Sequence, residues 1–269
     1  MNPGSIRIPQ PLVTQPTEPL CSLAPEALAS HRFQEDPTPV ELAGVRDNES
    51  ALFILLDALP DPGERVAAFT AYMPVRFDFH QHHPSVSSGQ PRDYYLWFLR
   101  RWGSDSNGRS GAVLKSWVES RFGLRATYHG GVLREDQAAR ERYDRDRDGP
   151  DALGIAPQLD LVYTFCQYEL ARRYPGQRWM TLFRGTHDPE EYAIHSDGAG
   201  DRSLVELNSL SSFTSDPEVA WEFGSSVWEV RIPMAKILFF GGMLPSHFPE
   251  SEAEHLVLGG EYRVRTRRW

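Results

Sequence analysis

The sequence predicts an α+β protein in which a helical N-terminal half packs on a C-terminal β core. Three observations lead there. Apolar residues recur at helical spacing from Glu49 to about Ala171. From Trp179 onward the texture changes to short β-branched and aromatic runs broken by Gly, Pro and Asp. The chain has 269 residues, 40% of them hydrophobic and 24% charged, enough to bury a sizeable core. The expected organisation is a Pro-rich extended arm over 1–24 and one domain over 25–269. That domain divides into a helical part, about 25–175, and a β core, about 176–269.

Each element has its own signal. The first residues are rich in Pro, Gln and Thr and read as extended backbone. Leu114, Trp117, Val118 and Phe122 share one helical face, as do Leu159, Val162, Tyr163, Cys166 and Leu170. Between them REDQAARERYDRDRDGP reads as a solvated helix and turn. Asp144, Asp146, Asp148 and Gly149 imitate the start of a calcium loop. Its twelfth position is Ile155, where a bidentate Glu is needed, so calcium is excluded there. The runs WMTLF, LNSLSSF, VWEVRI, KILFF, EHLVL and EYRVRT are the expected strands. In the last, Glu261, Arg263 and Arg265 take one face and Tyr262, Val264 and Thr266 the other. One helix interrupts the strands, with Asp216 as its cap, Pro217 in its first turn and Gly224 at its end.

Composition narrows the function. A net charge of −9 argues against nucleic-acid binding, which needs a basic surface. An anionic ligand must therefore be held by a particular arginine or helix N-terminus. Lys115 and Lys236 are the only lysines, so arginine supplies nearly all the positive charge. Cys21 and Cys166, far apart, are too few for a disulfide scaffold and suit a reducing compartment. The N-terminus lacks a signal-type apolar region and no apolar run reaches spanning length, so a soluble, cytoplasmic protein is expected. There is no GxGxxG after a strand, no P-loop and no GxSxG elbow. His80, His82 and His83 lack Cys or carboxylates at ligand spacing and read as a polar surface loop, so no metal is expected.

Three features of the C-terminal half carry chemistry. Arg184-Gly185 ends the strand WMTLF, where a guanidinium can grip a phosphate and a glycine admits a ligand close to the backbone. Ser212-Phe213-Thr214 is a hydroxyl-rich strand leading into the capped helix, suited to orienting a carboxylate or to simple turn chemistry. Glu252-Ala253-Glu254 precedes the apolar run HLVL. On a strand, the two carboxylates would share a face about 6.5–7 Å apart, continued into the core by Leu256 and Leu258. Such a pair suits chemistry at an anomeric carbon, one group stabilising an oxocarbenium ion while the other orients or deprotonates a nucleophile.

In the order Arg, Ser-x-Thr, Glu-x-Glu these features resemble the arginine-specific ADP-ribosyltransferases of the cholera-toxin-like class. The match covers about Met180 to Thr266, with Phe213 and Thr214 where that class has Thr and Ser. A resemblance to the dinitrogenase reductase ADP-ribosyltransferases covers most of the chain. It is carried by LRRWGSDSNGRSGAVLKSWVESRFGL, PQLDLVYTFCQ, LFRGTHD, SFTSDPEVAWEFG and IPMAKILFF. The Pro-rich start and the segment from Gly130 to Gly154 match less clearly.

The resemblance implies two small β-sheets around an NAD⁺ cleft, with NAD⁺ as co-substrate. It implies that Arg184 holds the phosphates, that the Gly185 backbone bonds the nicotinamide carboxamide, and that Ser212 and Thr214 brace the site. Glu254 would stabilise charge as nicotinamide departs, and Glu252 would help deprotonate the incoming arginine. Phe248, in the loop GGMLPSHFPES, is a candidate contact to the target protein or an anchor of its own loop. Asp105, Ser106 and Asn107 line the cleft or cap the following helix. The implied target is the nitrogenase iron protein, with a PII signalling protein as regulator and a separate glycohydrolase reversing the reaction. The alternatives are an arginine ADP-ribosyltransferase with another target, and a non-catalytic module that binds nitrogenase or PII.

Overall fold

The computed structural model describes residues 21–78, 94–148, 154–187, 193–196, 201–245, 248 and 253–268. Among these residues helices come first: α1 (Pro25–Ala29), α2 (His31–Glu35), α3 (Val45–Asn48), α4 (Ser50–Asp57), α5 (Pro62–Arg76), α6 (Tyr94–Ser104), α7 (Arg109–Phe122), α8 (Gln137–Arg147) and α9 (Ala156–Arg173). Strands follow: β1 (Trp179–Thr186), β2 (Ala193–Ser196), β3 (Arg202–Thr214), β4 (Ser226–Pro233), β5 (Ile237–Phe240) and β6 (Glu254–Arg268), with α10 (Pro217–Trp221) between β3 and β4. The α+β expectation holds. The 1–24 arm lies almost wholly outside the described residues.

The helical faces read from periodicity are the buried ones. Leu114, Trp117, Val118 and Phe122 of α7 are buried, as are Leu159, Val162, Tyr163, Cys166 and Leu170 of α9. The strand-rich half is tied to α9 by side chains reaching its backbone. The Tyr163 hydroxyl lies 3.1 Å from the Val40 carbonyl and 2.8 Å from that of Ala235, and Gln167 donates to the carbonyls of Met234 and Ile237. From α2, Gln34 donates to the carbonyls of Arg231 in β4 and Arg263 in β6 and accepts from the Arg263 N–H. These bonds satisfy backbone groups that burial would otherwise leave without partners. Helix α8 matches the solvated helix expected, except that Tyr143 is fully buried and donates to Glu119.

All strands are antiparallel and join in one six-stranded network, ordered β2-β3-β1-β4-β6-β5 with β3 also paired to β6. It takes the place of two separate small sheets. A single pair, Phe183↔Thr214, links β1 to β3 and closes the pairings β1–β4–β6–β3 into a ring. The strand β2 was not read from the sequence. EHLVL and EYRVRT, expected as two strands separated by a turn, are the single strand β6. Gly259 and Gly260 let it cross its neighbours without turning. A Cβ at Gly259 would stand 1.9 Å from the Asn208 carbonyl oxygen, where the β3–β6 register shifts. At Gly260, with φ +108°, it would stand 2.4 Å from the carbonyl oxygen of Ala29 in α1. The faces of the last strand are as expected, with Tyr262 and Val264 buried and Arg263 and Arg265 exposed.

Candidate active site

The ring closure brings Arg184, Ser212, Thr214 and Glu254 together. Thr214 stands opposite Phe183 on one side and opposite Glu254 on the other, so β1, β3 and β6 converge there. Arg184 follows Phe183, and its guanidinium donates to the Ser212 carbonyl at 2.8 Å. The Ser212 hydroxyl lies 2.9 Å from Glu254 Oε1. It also lies 2.7 Å from the indole nitrogen of Trp102. The directions are set by chemistry. An indole N–H can only donate, so Ser212 accepts from Trp102, and its own proton goes to the carboxylate, which can only accept when ionised. Trp102 belongs to α6 and is buried. The next residue, Gly103, faces the same carboxylate, a Cβ there standing 3.6 Å from Glu254 Oε2. Arg184, Ser212 and Glu254 are each half-buried, neither sealed in the core nor fully in water.

The strand picture of Glu252-Ala253-Glu254 needs correction. Strand β6 begins at Glu254, and Ala253 has φ +41°, in the left-handed region that a residue with a Cβ rarely adopts. Simple i, i+2 alternation therefore does not run through Ala253. Its carbonyl accepts from the Ser215 N–H at 3.4 Å and from the His255 ring at 2.8 Å, which holds the unusual conformation in place. His255 is buried against Phe240, and burial lowers its pKa to about 4, so the ring is neutral and Nδ1 carries the proton donated to Ala253. Glu252 itself lies outside the described residues.

Gly185 is glycine for a reason other than ligand approach alone. A Cβ there would meet the Ala220 carbonyl oxygen at 2.1 Å, and one at Gly224 would meet the backbone of Thr186 at 2.2 Å. Strand β1 and the end of α10 thus pack backbone on backbone. Beside this contact Phe223 is 66% exposed. The Thr214 hydroxyl accepts from the Asp216 N–H, and Asp216 caps α10 through the Glu218 N–H, the turn chemistry the sequence suggested.

Phe248 is buried and packs on Phe239, ring centroids 4.6 Å apart, which is the anchoring alternative. Asp105 accepts from the Asn107 N–H, and Asn107 accepts from Lys115. Helix α7 starts after Gly108 with no side-chain cap, so these polar residues build the turn before α7 instead of capping it. Asp144 and Asp146 lie within α8, in ion pairs with Arg140, Arg142 and Arg147. The HQHH cluster lies outside the described residues. Among those described, no group of three or more His, Cys, Asp or Glu is placed to hold a metal, and no helix is long and apolar enough to cross a membrane. A groove of about 720 Å³, lined among others by Pro37, Leu42, Arg46, Tyr168 and Arg178, includes none of the residues around Glu254. Of its lining arginines, Arg172 and Arg178 are paired with Asp57 and Asp36. Sequence reading missed Trp102, Gly103 and Phe223: helical periodicity makes Trp102 an ordinary core residue, and nothing local marks a donor aimed at a distant strand.

Comparison with known proteins shows the family. Residues 19–266 match the family model described as dinitrogenase reductase ADP-ribosyltransferase. Over 263 residues the chain is 36% identical to an NAD(+)--dinitrogen-reductase ADP-D-ribosyltransferase of Rhodospirillum rubrum, an alignment covering 91% of this chain and 93% of that one. No solved structure matches the chain significantly. With the match running through both the helical half and the convergence of Arg184, Ser212 and Glu254, the chain belongs to the dinitrogenase reductase ADP-ribosyltransferase family.

Proposed function

We propose that this chain transfers ADP-ribose from NAD⁺ to an arginine of the nitrogenase iron protein, reversibly inactivating nitrogenase. Within a family so described, the observation that carries the reading is the carboxylate of Glu254, held by the Ser212 hydroxyl beside the Arg184 guanidinium. The residues present suit NAD⁺. A guanidinium matches a phosphate, a glycine-lined strand edge at Gly185 offers backbone hydrogen bonds, and the exposed Phe223 ring beside it offers a stacking face for nicotinamide. The cleft is read as the space at the ring closure of the sheet, with 25–269 acting as one catalytic domain.

In this reading the bond from the ribose C1′ to the nicotinamide nitrogen breaks, and nicotinamide leaves as a neutral molecule with the bonding electrons. Glu254, fixed before substrate arrives, stabilises the positive charge that develops on the ribose. The arginine nitrogen then bonds C1′, and Glu252 accepts the proton released. That proton must be removed because a free guanidinium holds it well above neutral pH and is a poor nucleophile while it does. Arg184 holds the phosphates, the Gly185 backbone the carboxamide, and Thr214 the start of α10. A PII signalling protein is the proposed regulator. The test mixes the protein with purified nitrogenase iron protein and NAD⁺ labelled in the adenylate portion. Label on an arginine of the iron protein is expected; label on other proteins but not on that one would overturn the target.

A further inference from the structure

We infer that Trp102 is a positioning residue for the transfer reaction, acting on Glu254 through Ser212. This rests on the reading of Glu254 as the carboxylate that stabilises positive charge on the ribose as nicotinamide departs. The geometry is a chain of two hydrogen bonds, from the indole N–H to Ser212 Oγ at 2.7 Å and from Ser212 to Glu254 Oε1 at 2.9 Å. A serine hydroxyl rotates freely and can turn its proton away from a carboxylate. With the indole N–H occupying one of its acceptor directions, the rotor has one favourable setting, and it points at Glu254. The carboxylate is thereby oriented before substrate binds, the condition under which a charged group stabilises a transition state without reorganising.

Trp102 is itself fixed. The ring is buried, and the Lys115 ammonium lies 5.8 Å from its centroid. Lys115 is held in turn by the Tyr128 carbonyl at 3.0 Å, with Asn107 and His129 each at 3.4 Å. The indole nitrogen thus carries a contact from the helical half to the reaction centre, and Gly103 leaves room for the carboxylate beside it.

The experiment measures steady-state transfer to an arginine acceptor, and NAD⁺ hydrolysis without acceptor, for Trp102→Phe, Ser212→Ala, the double variant and Glu254→Gln. Trp102→Phe keeps a ring in place and removes only the donor. Loss of one neutral hydrogen bond predicts a roughly 3- to 10-fold fall in kcat. The fall should be equal for transfer and hydrolysis, with KM for NAD⁺ changed less than about twofold, because Trp102 is only 3% exposed and acts through Ser212. On the Ser212→Ala background Trp102→Phe should cost nothing further, since the two act in series. A residue that merely packs would instead give additive effects. If Glu254→Gln abolishes activity while Trp102→Phe leaves kcat unchanged, or its effect adds fully to that of Ser212→Ala, the relay is overturned and the Glu254 reading stands. If Glu254→Gln stays active, the Glu254 reading falls and the relay with it. Should Trp102→Phe fail to fold, the indole ¹⁵N–¹H resonances of otherwise wild-type protein give the answer. Ser212→Ala and Glu254→Gln should both move the same indole resonance, and movement of none would overturn the relay.

Discussion

Around Glu254 stand the Ser212 hydroxyl, its strand partner Thr214, and Gly103 of α6, whose lack of a side chain leaves space beside the carboxylate. A carboxylate fixed in this way is expected to contribute through charge stabilisation, for which single preorganised groups are worth ~10²–10³ in rate. Glu254→Gln should therefore remove both transfer and NAD⁺ hydrolysis to at least that extent, whereas Glu252→Gln should remove arginine transfer and spare part of the hydrolysis. Kinetics with and without acceptor measure both; near-normal transfer by Glu254→Gln would refute the assignment. Phe223 gives a separate test. Its ring is largely solvent-exposed, so Phe223→Ala should leave stability almost unchanged. If the ring stacks on nicotinamide, KM for NAD⁺ should rise roughly tenfold, the size of one aromatic stacking contact. An unchanged KM would show that the ring faces solvent only.

Among the elements, the sheet depends on glycines where backbones touch. Gly259 lets β6 pass the irregular stretch of β3, and a methyl group there would meet backbone oxygen, which cannot rotate away as a side-chain tip can. Gly259→Ala should destabilise the fold by about 3 kcal/mol, lowering Tm by roughly 6–10 °C for a chain of this size. It should reduce activity as well, because Glu254 and Leu258 sit on the same strand segment. A calorimetric scan beside an activity assay decides this, and a wild-type Tm would contradict the close approach. The pair Gly185 and Gly224 works similarly between β1 and the end of α10. Strand β1, which carries Arg184, and the turn after α10, which carries Phe223, are held together by a contact that tolerates no side chain.

The whole molecule buries both of its lysines, and Lys236 lies in a place unrelated to the site. Lys236 is 1% exposed, its ammonium 4.5 Å from the Tyr262 ring, and burial lowers its pKa to about 7, offset in part by Glu261. In the unfolded chain the same group holds its proton up to about 10.5. Between these values the unfolded state binds more protons, so this lysine makes stability rise with pH across that window. Below pH 7 the cost of burying the charge is present in full. Lys236→Met should accordingly stabilise the protein most at pH 6 to 7. The advantage should shrink by something on the order of 2–4 kcal/mol by pH 10. Urea denaturation of both proteins at pH 6.5 and 9.5 measures the difference, and an advantage independent of pH would mean that Lys236 does not titrate as described. By contrast, the buried pair Arg65–Glu169, further bound by Arg173, joins α5 to α9 with both charges matched.

Much of this was legible in the chain itself, because the signals were local. Helical periodicity marked the buried faces of α7 and α9. Asp216 and Pro217 marked the start of α10, and residue order marked Arg184, Ser212 and Glu254 as members of one set. The helix signals are properties of neighbours within a few residues, decided by local sterics, capping and burial, whereas the three site residues were grouped by the resemblance in their order along the chain. What the tertiary structure decided depends on residues far apart in sequence. Gly259–Gly260 is a crossing point instead of a turn because Asn208 and Ala29 pack there. Ala253 departs from the strand because its carbonyl is taken by Ser215 and His255. Trp102 joins the site because the helical half sets an indole N–H against a hydroxyl 110 residues away. A hydrogen bond is short-ranged and directional, so only the folded arrangement can say which donor meets which acceptor.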